Sequence, residues 1–220
     1  MPVAIKICCI ASVDEAELAL AHGAAALGLV SAMPSGPGVI ADERICEVAT
    51  AVRGRAARTF LLTAHTRADD IAAQHAACGT TTLQLVDQVP LPELRRLRAL
   101  CPAAELVQVI HVTDEQVLDE ALAAAPFVDA LLLDSGNPAL AVKELGGTGR
   151  THDWALSRRI RDAVQPLPLW LAGGLNAANV AQAVRQVQPH GVDLCSSVRR
   201  DGRLDAGRLV AFMAAVAAAV

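Results

Sequence analysis

The sequence predicts a single-domain (β/α)8 barrel. Short apolar runs alternate with amphipathic runs eight times within 220 residues. The apolar runs are nearly continuous, the pattern of strands buried on both faces of a parallel sheet. No linker-like stretch divides the chain. Eight βα units in a chain of this length fit a compact barrel. An open doubly wound sheet gives no ready reason for the number eight.

The elements follow in order. Residues 3–9 read as a strand, and Ser12 as the cap of a helix to residue 22, with Glu15 at the capping-box position. A strand at 25–30 leads to a Pro/Gly loop at 33–38 and a helix near 42–52. Strand–helix pairs then follow at 58–62 and 68–77, at 81–86 and 91–100, and at 105–112 and 114–124. A strand at 128–134 precedes a long Gly-rich loop and a helix at 154–164. The last two units are 167–172 with 177–187, and 191–195 with a closing helix from about residue 206.

Composition narrows the function classes. The formal net charge is −4 and the charges are scattered, so nucleic acid is not an expected partner. Asp14, Glu15 and Glu17 interrupt the N-terminal region, which does not read as a signal peptide. The apolar tail at 209–220 is too short to span a bilayer, so no membrane partner is expected. Six cysteines (Cys8, Cys9, Cys46, Cys78, Cys101 and Cys195) are dispersed without metal-ligand spacing, which predicts no metal site and a reducing, cytoplasmic compartment.

In a barrel the reacting groups sit at the C-terminal ends of the strands. That rule makes candidates of Cys8 and Cys9, of Gln84 and Asp87, and of Asp134 and Ser135. It adds Gly173 and Gly174 after the seventh strand, and Cys195, Ser196 and Ser197 after the eighth. The last two loops are where barrels commonly hold a phosphate on backbone N–H groups. The glycines at 146, 147 and 149 match neither a P-loop nor a dinucleotide fingerprint, and read as a loop closing over the site.

The motifs "KIC" at 6–8, "HGAAALGLV" at 22–30, "LQL" at 83–85, "LLLDS" at 131–135, "GGTGRTHDW" at 146–154, "LAGGLNAANV" at 171–180 and "GVDL" at 191–194 occur in one order and spacing. In that set the chain resembles the phosphoribosylanthranilate isomerase family over nearly its whole length. The resemblance implies an Amadori aldose–ketose isomerisation of N-(5-phosphoribosyl)anthranilate in tryptophan biosynthesis, without metal or organic cofactor. It implies Cys8 as the base at C2′ and Asp134 as the acid at the ring oxygen. Lys6, Gln84, Gly147, Gly173, Gly174, Ser196 and Ser197 are the expected substrate and phosphate contacts. Lys6 and Cys8 are two apart on a strand and share a face, so the ammonium would favour a Cys8 thiolate. Acid catalysis by Asp134 requires burial to raise its pKa. The expected partner is a small phosphorylated sugar, and the expected assembly is a monomer or homodimer.

Six positions depart from the family pattern. Cys9 stands where the family has Gly, Gly38 where it has the Arg that engages the substrate carboxylate, Val86 and Asp87 where it has His and Gly, and Ser197 and Arg199 where it has Gly and Glu. These leave two other readings: a relative acting on another sugar phosphate, or a non-catalytic phospho-ligand binder. Arg58 and Arg199 are candidates to replace the missing carboxylate contact. The blander reading makes Arg199 and Arg200 a solvated pair, Asp193 a brace for the eighth strand, and the six histidines surface or loop residues.

Overall fold

The structure, a computed structural model, describes residues 2–219. Eight parallel strands close into a barrel in chain order. They are β1 (Ala4–Ile7), β2 (Ala26–Val30), β3 (Arg58–Thr63), β4 (Thr82–Leu85), β5 (Glu105–His111), β6 (Ala130–Asp134), β7 (Leu169–Leu171) and β8 (Gly191–Leu194). The outer helices are α1 (Val13–Ala21), α2 (Asp42–Ala51), α3 (Ala68–Cys78), α4 (Leu91–Leu100), α5 (Val117–Ala124), α6 (Trp154–Ala163), α7 (Val180–Val187) and α8 (Ala206–Ala217). The expected (β/α)8 architecture is the observed one.

Strand alternation builds two cores. Outward residues such as Ile5, Ile7, Leu61, Leu106 and Leu131 meet the helices. Inward residues such as Phe60, Val107, Val109, Leu132 and Trp170 fill the barrel. Trp170 is fully buried and meets Phe60 edge-on, with ring centroids 5.6 Å apart. At the start of β3, the Arg58 guanidinium lies 5.2 Å over Trp170 and pairs with Glu105 at 2.8 Å. These large groups fill the bottom of the barrel and leave the C-terminal end for a site.

The helices form where the sequence places an apolar stripe and a cap. On α7, Val180, Ala183, Val184 and Val187 recur at helical spacing and are all buried. Ser12 accepts from the Glu15 N–H at 3.2 Å, while the Glu15 carboxylate accepts from the Ala11 N–H at 3.0 Å. Asp153 and Asp205 cap α6 and α8 in the same way.

Differences from expectation lie at element ends. β1 stops at Ile7 because Cys9 turns into the left-handed region, at φ 62°. α7 starts at Val180 rather than at residue 177, because Asn176 and Asn179 cap an intervening turn through their side chains. A small antiparallel ribbon, β9 (Arg199–Arg200) with β10 (Arg203–Leu204), was not expected. Its turn is Asp201-Gly202, both at positive φ, the usual sequence of a two-residue hairpin loop.

Candidate active site

Backbone pairing aligns Lys6 on β1 with Asp193 on β8, and both side chains point inward. The Lys6 ammonium lies 2.7 Å from Asp193 Oδ2, and Lys6 is wholly buried. Burial opposes its charge, but Asp193 and then Cys8 outweigh it, so the lysine is held above its ordinary pKa. Lys6 therefore lies beneath the cavity and not in its lining, which corrects its expected place among the binding residues. Asp193 does brace β8, yet it also lines the cavity, and its Oδ1 is buried without a partner.

The cavity above them is open and about 690 Å³, including solvent. Cys8, Gln84, Asp134, Gly147, Gly173, Gly174 and Ser196 all line it. Ser197 does not: it faces Asn176 and Phe212 on the outside of the barrel, because the 3-10 turn at Ser196–Val198 rotates it away. Cys8 is one residue past β1, where its N–H donates to the Leu194 carbonyl at 2.8 Å. Gln84 points inward from β4 with Oε1 buried and unpartnered.

Asp134 ends β6 on the inward face. Its Oδ1 accepts from the Ser135 N–H at 2.7 Å. Burial raises its pKa, against the Ser135 N–H and the charges of His111 and Lys6, and with the help of Asp193. A Cβ on Gly146 would lie 2.6 Å from Asp134 Oδ2, so the covering loop reaches the carboxyl only because that residue is glycine.

Two loops meet over the mouth. Ser35 Oγ donates to the Lys143 carbonyl at 2.5 Å, and the Ser135 and Thr148 hydroxyls lie 2.7 Å apart. Lys143 Nζ is 2.5 Å from Asp87 Oδ2. The turn carrying Gly174 is fixed by the Asn176 and Asn179 side-chain amides, which donate to its carbonyl at 3.3 and 3.0 Å. Gly173, Gly174 and Ser196 thus line one side of the cavity, with the β6 loop packed against Gly173 and Gly174.

Several site-adjacent groups escaped the sequence reading. His111 is buried at the end of β5, beside Asp134 in register, with Nε2 2.9 Å from the Val86 carbonyl. His152 has both ring nitrogens buried without partners, and burial pushes its pKa down to about 4, leaving a neutral ring near Gly173. His111 corrects the expectation of surface or loop roles, while His152 does lie on the loop before α6, with its ring nitrogens buried. The strand-end rule would have found His111. Arg199 is not solvated either. Its guanidinium pairs with Glu15 at 3.0 Å and donates to the carbonyls of Cys8 and Cys9, while Arg200 is exposed. Neither Arg58, at the barrel bottom, nor Arg199, tied to Glu15, is placed to meet a substrate carboxylate. Among the described residues, no group of His, Cys, Asp or Glu is arranged to hold a metal ion.

This arrangement sets a thiol and a raised-pKa carboxyl on one cavity, with a glycine-rich wall to one side. The family model for N-(5'-phosphoribosyl)anthranilate (PRA) isomerase matches residues 5–215. The chain belongs to that isomerase family. The N-(5'-phosphoribosyl)anthranilate isomerase of Synechococcus sp. (strain JA-2-3B'a(2-13)) is 35% identical over 198 residues, covering 89% of this chain and 82% of that protein. That of Synechococcus elongatus is 32% identical, covering 99% and 97%. The crystal structure of the Thermotoga maritima isomerase superposes with a TM-score of 0.83 at 25% identity, covering 98% of this chain and 99% of that one. A second isomerase structure, in complex with reduced 1-(o-carboxyphenylamino)-1-deoxyribulose 5-phosphate, superposes at a TM-score of 0.80 and 24% identity, with the same coverage. Among the described residues no helix is long and apolar enough to cross a membrane.

Proposed function

We propose that this isomerase converts N-(5'-phosphoribosyl)anthranilate to 1-(o-carboxyphenylamino)-1-deoxyribulose 5-phosphate, with Asp134 as acid and Cys8 as base. The observation that carries the assignment is that both groups line one cavity and burial raises the Asp134 pKa. Asp134 protonates the furanose ring oxygen as the C1′–O bond breaks, which opens the ring to a protonated imine. Cys8, as thiolate, removes the C2′ proton, and those electrons neutralise the imine to give the enolamine. Protonation at C1′ and loss of the C2′ hydroxyl proton complete the ketose. The phosphate rests on the wall of Gly173, Gly174 and Ser196, with Gln84 and Gly147 on the remaining sides.

The substrate is a small phosphorylated sugar, and the reaction takes place in the cytoplasm, a placing supported by six free cysteines among the described residues. The working assembly is a monomer or homodimer; the Thermotoga maritima relative is described as dimeric. The deciding experiment follows the fluorescence decay of freshly made phosphoribosylanthranilate on adding protein. Turnover by the wild type, lost in both Cys8→Ala and Asp134→Asn, is expected. A folded wild type that binds ribose 5-phosphate without turnover would refute the reading and favour another sugar phosphate, as Gly38 and Val86 suggest.

A further inference from the structure

Two side-chain acceptors on residues that line the cavity are buried without a partner: Gln84 Oε1 on β4 and Asp193 Oδ1 on β8. Gln84 is 4% exposed and Asp193 6%. A buried acceptor left unpaired is costly, so each calls for a donor from the molecule that fills the cavity. The two differ in what they can do next. An amide oxygen accepts a hydrogen bond and stops there, whereas a carboxylate oxygen can take the proton.

Asp193 also stands between the two groups assigned to the reaction. Pairing runs through Leu133, Leu171 and Val192 on β6, β7 and β8, so Asp134 and Asp193 each lie one residue beyond that row. Ala172, the residue after β7, is at the same level and lines the cavity. On its other side Asp193 is paired with Lys6, and Cys8 follows Lys6 by two residues on the same face. The Lys6 ammonium occupies Asp193 Oδ2 at 2.7 Å, which fixes the carboxylate and leaves Oδ1 for the cavity. A ribose that spans Asp134 and Cys8 lies against Asp193.

We propose that Asp193 is a third catalytic residue, the base that takes the C2′ hydroxyl proton and turns the enolamine into the ketose. This deepens the isomerase reading and rests on it. Once Cys8 has removed the C2′ hydrogen, the hydroxyl is the donor that C2′ still carries. Asp193 Oδ1 takes its proton, and the O–H electrons form the C2′=O bond. The C1′=C2′ electrons take the proton of the Cys8 thiol at C1′, and Cys8 returns to the thiolate. Asp193 then passes its proton by way of solvent to Asp134, which gave one up at ring opening. Every proton is returned, and the step needs no co-reactant.

The test follows ketose formation chromatographically, in the wild type and in Asp193→Asn, whose amide oxygen still accepts from Lys6. Substrate carries hydrogen or deuterium at C2′, and each is run in H2O and in D2O. Asp193→Asn is expected to lose about 10²–10⁴-fold in kcat. Its residual turnover is expected to be slowed by D2O and not by deuterium at C2′, because departure of the hydroxyl proton has become the slow step. An Asp193 that only braces β8 gives the opposite pattern: the loss arises at the Cys8 step, and deuterium at C2′ slows the variant. That pattern, or wild-type turnover in the variant, overturns the proposal. If Asp193→Asn does not fold or is too slow to measure, Asp193→Glu is read by the same two isotope effects. It keeps a charge opposite Lys6 and moves the accepting oxygen. A wild type without turnover refutes the isomerase reading itself; an active wild type beside a variant slowed by C2′ deuterium refutes the third catalytic residue alone.

Discussion

Cys9 fills the space that any side chain at position 38 would need. A Cβ built on Gly38 would stand 2.9 Å from Cys9 Sγ and 3.0 Å from Cys9 Cα. Both residues are at positive φ, 62° for Cys9 and 77° for Gly38. The two departures from the family pattern are therefore one structural exchange: the side chain lost at 38 makes room for the one gained at 9. A double-mutant cycle on urea unfolding checks this. Gly38→Ala is expected to destabilise, and less so in a Cys9→Gly background, with a coupling of at least about 1 kcal/mol. Additive effects would refute the exchange.

The carboxyl of Asp134 is costly to ionise where it sits. Its folded-state pKa is raised by burial, so its contribution to stability is present at low pH and is lost as pH rises through the folded value. Asp134→Asn is expected to melt above the wild type at pH 8, with the difference vanishing towards pH 4. The same variant is expected to lose about 10²–10⁴-fold in kcat. A wild type and variant with parallel melting curves across that range would remove burial as the source of the acid.

The buried pair of Lys6 and Asp193 joins the first strand to the last. Lys6→Met leaves Asp193 Oδ2 without its partner beneath the site, and is expected to cost about 3–5 kcal/mol. Replacing both, with Lys6→Met and Asp193→Leu, is expected to recover much of that stability but not turnover. Urea midpoints and the fluorescence assay together separate the two roles.

Arg199 ties the loop after β1 to the loop after β8, through Glu15 and the carbonyls of Cys8 and Cys9. Glu15 also accepts from the Leu204 N–H at 2.9 Å. Arg199→Ala is expected to cost about 1.5–3 kcal/mol by loss of charge-assisted hydrogen bonds. It is also expected to lower kcat more than it raises KM, since the carbonyls it holds belong to the base and its neighbour. Arg199→Lys, with one ammonium where a fork is used, is expected to recover only part.

The barrel was legible because burial on both faces leaves so plain a mark: β2 and β6 are nearly continuous apolar runs, and α7 carries its stripe at helical spacing. Cys8, Asp134 and the glycine pair at 173 and 174 were legible because a barrel confines its chemistry to strand ends. Contacts between distant residues were not. Arg199 looks like a surface charge until Glu15, 184 positions earlier, is seen to meet it. Lys6 looked available until Asp193 took it. His152 was hidden because its burial depends on how the loop after β6 folds back towards Gly173. The β9–β10 hairpin was readable from Asp201-Gly202 alone.

The closure of β1 on β8 also sets an order of events during synthesis. Cys8 emerges from the ribosome well before Cys195 and Ser196. Until β8 follows, Lys6 has no Asp193 and β1 has one open edge, so the thiol-bearing segment of the nascent chain waits for its partner strand. Expression yield should therefore depend on what shields β1 during that interval, and a circular permutant that makes β8 and β1 consecutively should remove the wait.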